Sequence, residues 1–249
     1  MRAFLLLSGS ARMALLYYFP IKTANTAAVD SVSKKYYIFF VAERRKKMKR
    51  SYYRQLETRV RELPLGAVFA VSDFSDIASP KTVSKMLTRL AEKGTAEKLM
   101  RGIFWKPDGV RMKPSPNDVA EALARENSWD VAPSGDTALY LAGLSADEPG
   151  EWTYVTNGTY RSYRYQNARI RFTHTKAVAE KMSARSRLLV QCIKAFGRER
   201  LTEETQHRLV TAFRDLNWMR VREETRHAAA WICRAVVTLS MIAVMRKLM

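Results

Sequence analysis

Apolar residues recur along this chain with two different periods, and the change of period organises the reading. Over residues 52–63 the apolar positions Tyr53, Leu56, Val60 and Leu63 fall at helical spacing. Val83, Met86, Leu87 and Leu90 do so again, as one stripe at i, i+3, i+4 and i+7. Between them, Ser72 can cap a short helix over residues 73–78, with Asp73 and Asp76 facing the positive end of its dipole. Ser79 can cap the longer helix with Pro80 at its first position, where a missing N–H forfeits no bond. Gly94 closes that helix. Residues 96–100 and 102–106 then read as two short strands joined at Arg101-Gly102. Helix, helix, turn, helix and a two-stranded wing is the order of a winged helix-turn-helix.

Residues 106–116 carry Pro107, Gly109, Pro114 and Pro116 and read as a linker. Pro116 opens a helix to Asn127, with Val119, Ala120, Leu123 and Ala124 inward. Ser134 or Asp136 caps a further helix that ends at Gly143–Leu144, before a turn over residues 145–150. The period then changes. Residues 152–156, 160–165 and 169–175 are β-branched and aromatic runs divided by Asn157-Gly158 and Gln166-Asn167, which predicts a small antiparallel sheet. From Ala184 the pattern is helical again. One stripe is Leu188, Leu189, Cys192, Ile193 and Phe196; a second is Leu209, Val210, Phe213 and Leu216, with a start at Thr202. Residues 228–244 read as a terminal helix that packs internally or on a partner.

The fold class expected is therefore α+β. Residues 48–108 form a winged helix-turn-helix, 114–182 an α/β module, and 183–249 a helical region. Residues 1–47 form an extension expected to be disordered, or to precede a natural start at Met48. Their apolar run over residues 4–19 is interrupted by Arg12 and is too short for a membrane span. No small-residue cleavage site follows it closely. The aromatic run over 36–41 and the basic run over 43–50 also admit a membrane-surface anchor or a phosphate-gripping arm.

Charge sharpens the picture. Forty-three Lys and Arg against 24 Asp and Glu leave a net charge of +19, with a pI near 10.1. A polyanion is the partner this favours, nucleic acid before membrane. On the wing-domain helix, Lys81, Lys85 and Thr88 lie opposite the apolar stripe, flanked by Ser79, Thr82, Ser84 and Arg89. Long cations and small hydroxyls can reach phosphates and base edges in a major groove. Lys98, Arg101 and Lys106 are the wing cations. In the later strands Arg161, Arg164, Arg169 and Arg171 alternate with aromatics, as a nucleic-acid surface or as the solvated face of a half-buried sheet.

Enzyme chemistry is poorly served. Cys192 and Cys233 show no metal-binding or redox spacing, and His174, His207 and His227 are dispersed. There is no Gly-rich phosphate loop, and Asp136 beside Ser134 reads as a cap. No cofactor or metal is expected. The alternatives kept open are a non-catalytic RNA- or protein-binding module and a metal-dependent nuclease assembled only in three dimensions.

Several phrases resemble one family in order. They are GAVFAVSDF (residues 66–74), VSKMLTRLAEKG (83–94), RGIFWKP (101–107), VAEALAR (119–125), APSGDTALYLAGLS (132–145), VTNGTYRSYRYQNARIRF (155–172) and ETRHAAAWI (224–232). They are similar to the AbiEi-type antitoxins and the DUF6088 group of type IV toxin–antitoxin systems. The resemblance implies a cytoplasmic antitoxin that represses its own promoter by binding repeats in double-stranded DNA through its winged domain. It also implies a functionally linked, nucleotidyltransferase-like toxin, with no stable complex assumed and no membrane association.

Overall fold

A computed structural model describes residues 26–109, 113–175 and 182–248. The apolar run weighed above over residues 4–19 lies outside them. The first element, α1 (Thr26–Glu62), is one long helix. The helix predicted over residues 52–63 is its C-terminal part, and residues 26–47, expected to be disordered, are helical. Neither Gly nor Pro occurs from Ile21 to Leu63, so nothing in that stretch interrupts helical propensity. Ile38, Phe39 and Phe40 are exposed, and Arg44 lies over the Phe40 ring at 5.3 Å. The chain divides within this helix, at Glu57/Thr58, and the unit from Thr58 onward carries both sheets.

In that unit β1 (Val68–Ala70) leads directly into a 3-10 turn (Val71–Phe74), followed by α2 (Pro80–Glu92), β2 (Glu97–Met100) and β3 (Ile103–Trp105). The helix predicted over residues 73–78 is thus shorter and earlier. Its start is set by Asp73, whose Oδ2 accepts from the Ala70 N–H at 2.9 Å. The three strands form an antiparallel sheet in the order β1-β3-β2. The sequence reading missed β1. Ile103, Phe104 and Trp105 of the central strand are all buried, and α2 buries Val83, Met86, Leu87 and Leu90. Phe69 meets Phe74 edge-on at 5.8 Å and stacks on Phe104 at 6.2 Å. Such pairs add to the area they bury.

Helix α3 (Pro116–Glu126) begins as predicted. The Ser115 hydroxyl accepts from the Asp118 N–H, and Asp118 Oδ2 accepts from the Ser115 N–H, each at 3.2 Å. This reciprocal cap satisfies two otherwise orphaned donors. Val119, Ala120, Ala122, Leu123 and Ala124 are all buried. Val119, Ala120, Ala122 and Leu123 belong to one core with Ala70 and Ile103 of the first sheet and with Trp152, Tyr154, Ile170 and Phe172 of the second. The segments expected as separate domains on either side of the linker therefore share a core. The small side chains of α3 allow both sheets to approach it.

The second sheet contains β4 (Val131–Pro133), β5 (Glu151–Thr156), β6 (Arg161–Tyr165) and β7 (Ala168–His174), in the order β4-β5-β7-β6. It is mixed, not purely antiparallel: β5 and β7 run parallel. The Gln166-Asn167 turn does make the predicted β6–β7 hairpin, with Gln166 at φ 51. Asn157-Gly158 does not join neighbouring strands. A type I′ hairpin needs positive φ at both residues, and neither has it. Instead Asn157 Oδ1 accepts from the Asp130 N–H at 2.9 Å. Gly158 lies so close to Trp129 that an added Cβ would fall 2.3 Å from its Nε1. Held there, the chain leaves β5 and returns on the far side of β7.

Between β4 and β5 lies α4 (Gly135–Leu141), beside β5: Thr153 N–H donates to Thr137 Oγ1 at 2.8 Å, and Thr153 Oγ1 to Ser134 O at 2.7 Å. Four helices finish the unit: α5 (Ala184–Phe196), α6 (Glu203–Ala212), α7 (Trp218–Glu224) and α8 (Ala230–Leu248). Thr202 caps α6 as predicted. Leu189, Ile193, Leu209, Phe213, Val236 and Leu239 form their core. The terminal helix packs one face internally and leaves Met241, Val244 and Met245 exposed. No helix among the described residues is long and apolar enough to cross a membrane.

Candidate nucleic-acid interface

The apolar stripe of α2 fixes which side chains it shows. With Val83, Met86, Leu87 and Leu90 buried, Ser79, Lys81, Lys85, Thr88 and Arg89 are exposed, while Thr82 and Ser84 are half-buried at the margins. Lys98 on β2 and Arg101 in the β2–β3 turn are exposed too. None of Lys81, Lys85, Arg89, Lys98 and Arg101 is paired with a carboxylate among the described residues. The hydroxyls are less free. Thr88 Oγ1 donates to Ser84 O at 2.9 Å, and Ser79 Oγ and Thr82 Oγ1 lie 3.0 Å apart. The cations, not the hydroxyls, dominate what this helix offers.

Lys106 behaves differently from Lys98 and Arg101, the other cations expected on a wing. Its Nζ donates to the carbonyls of Arg61 and Leu63 at the end of α1, the latter at 2.6 Å. It stabilises a helix C-terminus, where the backbone dipole is negative and the last carbonyls lack partners. Lys106→Met is expected to lower stability by about 1.5–3 kcal/mol, the scale of charge-assisted bonds. Duplex binding by this variant should keep the wild-type salt dependence. Thermal melts and salt titrations check the two halves separately.

A set of ion pairs and hydrogen bonds holds β1, the 3-10 turn and the loop that lead into α2. Arg59 Nη1 donates to both oxygens of Asp76, at 2.8 and 2.7 Å. Arg125 Nε lies 3.2 Å from Asp73 Oδ1, and Arg125 Nη2 donates to Val68 O at 3.0 Å. Glu126 Oε2 accepts from the Ser72 N–H at 2.8 Å. Glu126 also limits the β2–β3 turn: Gly102 sits at φ 80, and an added Cβ there would fall 2.9 Å from Glu126 Oε1. Asp73 serves the start of the short helix, as the sequence suggested, and is also paired with Arg125; Asp76 lies beyond the 3-10 turn and is held by Arg59. Sequence reasoning missed Arg125 and Glu126, because their partners lie more than fifty residues away.

The four strand arginines do not form one surface. Arg161 is in register with Phe172, on the side of the sheet that faces α3. It lies over the Trp129 ring at 5.6 Å and donates to Asn127 Oδ1 and the Tyr163 hydroxyl, both at 3.4 Å. Arg164, Arg169 and Arg171 project from the opposite, open face. Among them stands Glu151, whose Oε2 is 2.9 Å from Arg171 Nη2 and whose Oε1 is 3.8 Å from Arg169 Nε. Glu151 lies one residue before the predicted strand and was not singled out by the sequence pattern.

His174 Nδ1 lies 2.7 Å from Gly158 O, His207 3.9 Å from Glu203, and His227 Nε2 accepts from Arg226 at 2.9 Å. No group of three metal-binding side chains gathers among the described residues. Burial pushes the Cys192 thiol up to about 12, only partly opposed by Arg185. Glu224 is held below the usual carboxylate range. Burial raises it, but bonds from Ser186, Arg220 and Ser183 outweigh that effect.

These features define an α+β protein with two small sheets on a shared core, in which α2 presents an exposed, cation-bearing face. The family DUF6088, described as a family of unknown function, matches residues 55–221, more than half of the chain, and the protein belongs to it. No curated protein matches the chain.

Proposed function

We propose that this protein is a duplex-DNA-binding repressor of its own promoter and the antitoxin of a type IV toxin–antitoxin pair. In this reading the end of α1, the 3-10 turn, α2 and the β2–β3 hairpin make a winged helix-turn-helix. Helix α2 enters the major groove, and Lys98 and Arg101 on the wing reach the flanking backbone. The observation that carries it is the exposed set Lys81, Lys85 and Arg89 on one helix, with Lys98 and Arg101 on the adjoining hairpin, all without acidic partners among the described residues. Charges left unpaired on one surface suit a polyanion, and the +19 net charge draws one in. The antitoxin role rests on the family resemblance: the opposing, nucleotidyltransferase-like toxin acts in the same cytoplasm, without a stable complex being required.

The test is a salt titration of the full chain on a duplex spanning its own upstream region. Five cations at phosphates predict that log K falls with log salt at a slope of about −4 to −5. An upstream reporter should be repressed in parallel. A flat salt response, or equal affinity for an unrelated duplex with no repression, would refute the reading.

A further inference from the structure

The open face of the second sheet holds an arrangement that duplex binding by α2 does not use. Arg164 on β6 and Arg169 on β7 are directly opposed in register, and Arg171 follows on the same face. Like charges placed directly opposite across a strand pair are destabilising. The one carboxylate at hand, Glu151, is half-buried and lies closer to Arg171 than to Arg169, at 2.9 against 3.8 Å. Arg164 has no carboxylate partner among the described residues. Two arginines therefore line one depression from opposed register positions, with the single carboxylate Glu151 shared between Arg169 and Arg171. The depression has a volume of about 570 Å³ and is lined by Glu151, Arg164, Gln166, Asn167 and Arg169. That volume falls within the roughly 300–1,000 Å³ of small-molecule sites.

We infer that this depression binds the phosphate of a nucleotide, held between Arg164 and Arg169, with the base edge against the amides of Gln166 and Asn167. A guanidinium presents paired N–H groups that match phosphate oxygens, and a phosphate between two of them removes their mutual repulsion. The side-chain amides each offer a donor and an acceptor, the pattern a base edge requires. Glu151, which also lines the depression, is paired most closely with Arg171 and so leaves Arg164 and Arg169 under-neutralised. The site is independent of the duplex reading, because none of its residues lies on α2 or the β2–β3 hairpin.

The phosphate can come from a free nucleotide or from a strand. Calorimetric titration of the full-length protein with ATP and, separately, with a 5′-phosphorylated tetranucleotide distinguishes the two. Saturable binding of either, weakened at least about tenfold in the Arg164→Gln/Arg169→Gln variant, is the expected result. Binding of the tetranucleotide alone assigns the site to a strand phosphate, and binding of ATP to a free nucleotide. Glu151→Gln should tighten binding, which loss of a merely structural carboxylate would not do. The double variant relieves a like-charge pair and should melt no lower than wild type, with promoter affinity unchanged. Absence of saturable binding by both probes, or equal affinity in the double variant, overturns the inference. So does a loss of promoter affinity matching the loss of nucleotide, since the patch would then be a duplex contact.

Discussion

Replacing Lys81, Lys85 and Arg89 together by Ala is expected to weaken promoter binding by about a thousandfold near 0.1 M salt. Each phosphate contact contributes about −0.9 to the salt slope, which at that concentration is roughly one decade of affinity. Three lost contacts should also flatten the slope by about 2.7. The fold should not suffer. All three side chains are exposed, the buried stripe is untouched, and Ala has the highest helix propensity. The melting temperature should therefore stay or rise while affinity collapses. A loss of affinity with an unchanged slope would move these residues from phosphates to base edges. No change in either would remove α2 from the interface.

The contrast between α2 and the second sheet shows which parts of the protein can be read from the chain. The stripe Val83, Met86, Leu87 and Leu90 specifies both the buried and the exposed face of α2, because a helix ties the two together within one turn. The helix starts at Pro116 and Thr202 are equally local and fell where the residues indicated. Strand order is not local. Asn157-Gly158 carries a hairpin signal, but its hydrogen bonds go to Asp130 and its packing to Trp129, so the turn is used to skip a strand. The parallel β5–β7 pairing follows from that detour.

The site was legible to the same degree. Alternation put Arg169 and Arg171 on one face of β7 opposite Ile170 and Phe172, and the structure keeps that division. It could not place Arg161, which the register of β6 turns toward α3 and Trp129. It could not reveal that Lys106 serves a helix end, since Arg61 and Leu63 are distant in sequence. Nor did composition suggest that the segments flanking Pro107 and Pro114 share one core. The informative residues there were Ala120, Ala122 and Ala124: three small buried side chains in one helix mark close approach by neighbours on more than one side.

That shared core leads to the second large effect. Phe172 is fully buried, and its ring meets Trp129 at 5.4 Å, Tyr154 at 5.6 Å and Tyr163 at 5.9 Å. Phe172→Ala should cost about 3–5 kcal/mol, because a cavity walled by three aromatic rings collapses poorly. A domain's whole stability is only about 5–15 kcal/mol. For a unit of this size the melting temperature should fall by roughly 10 °C. Phe172 lies on the second sheet, yet its core includes Ala70 and Ile103 of the first. The variant should therefore lose its aromatic near-UV signal and its promoter binding over the same temperature range, in one transition. If promoter binding outlasts the near-UV signal on heating, the first sheet and α2 fold on their own. The bonds from Arg125 and Glu126 of α3 to the 3-10 turn and β1 would then not be needed to hold the first sheet together.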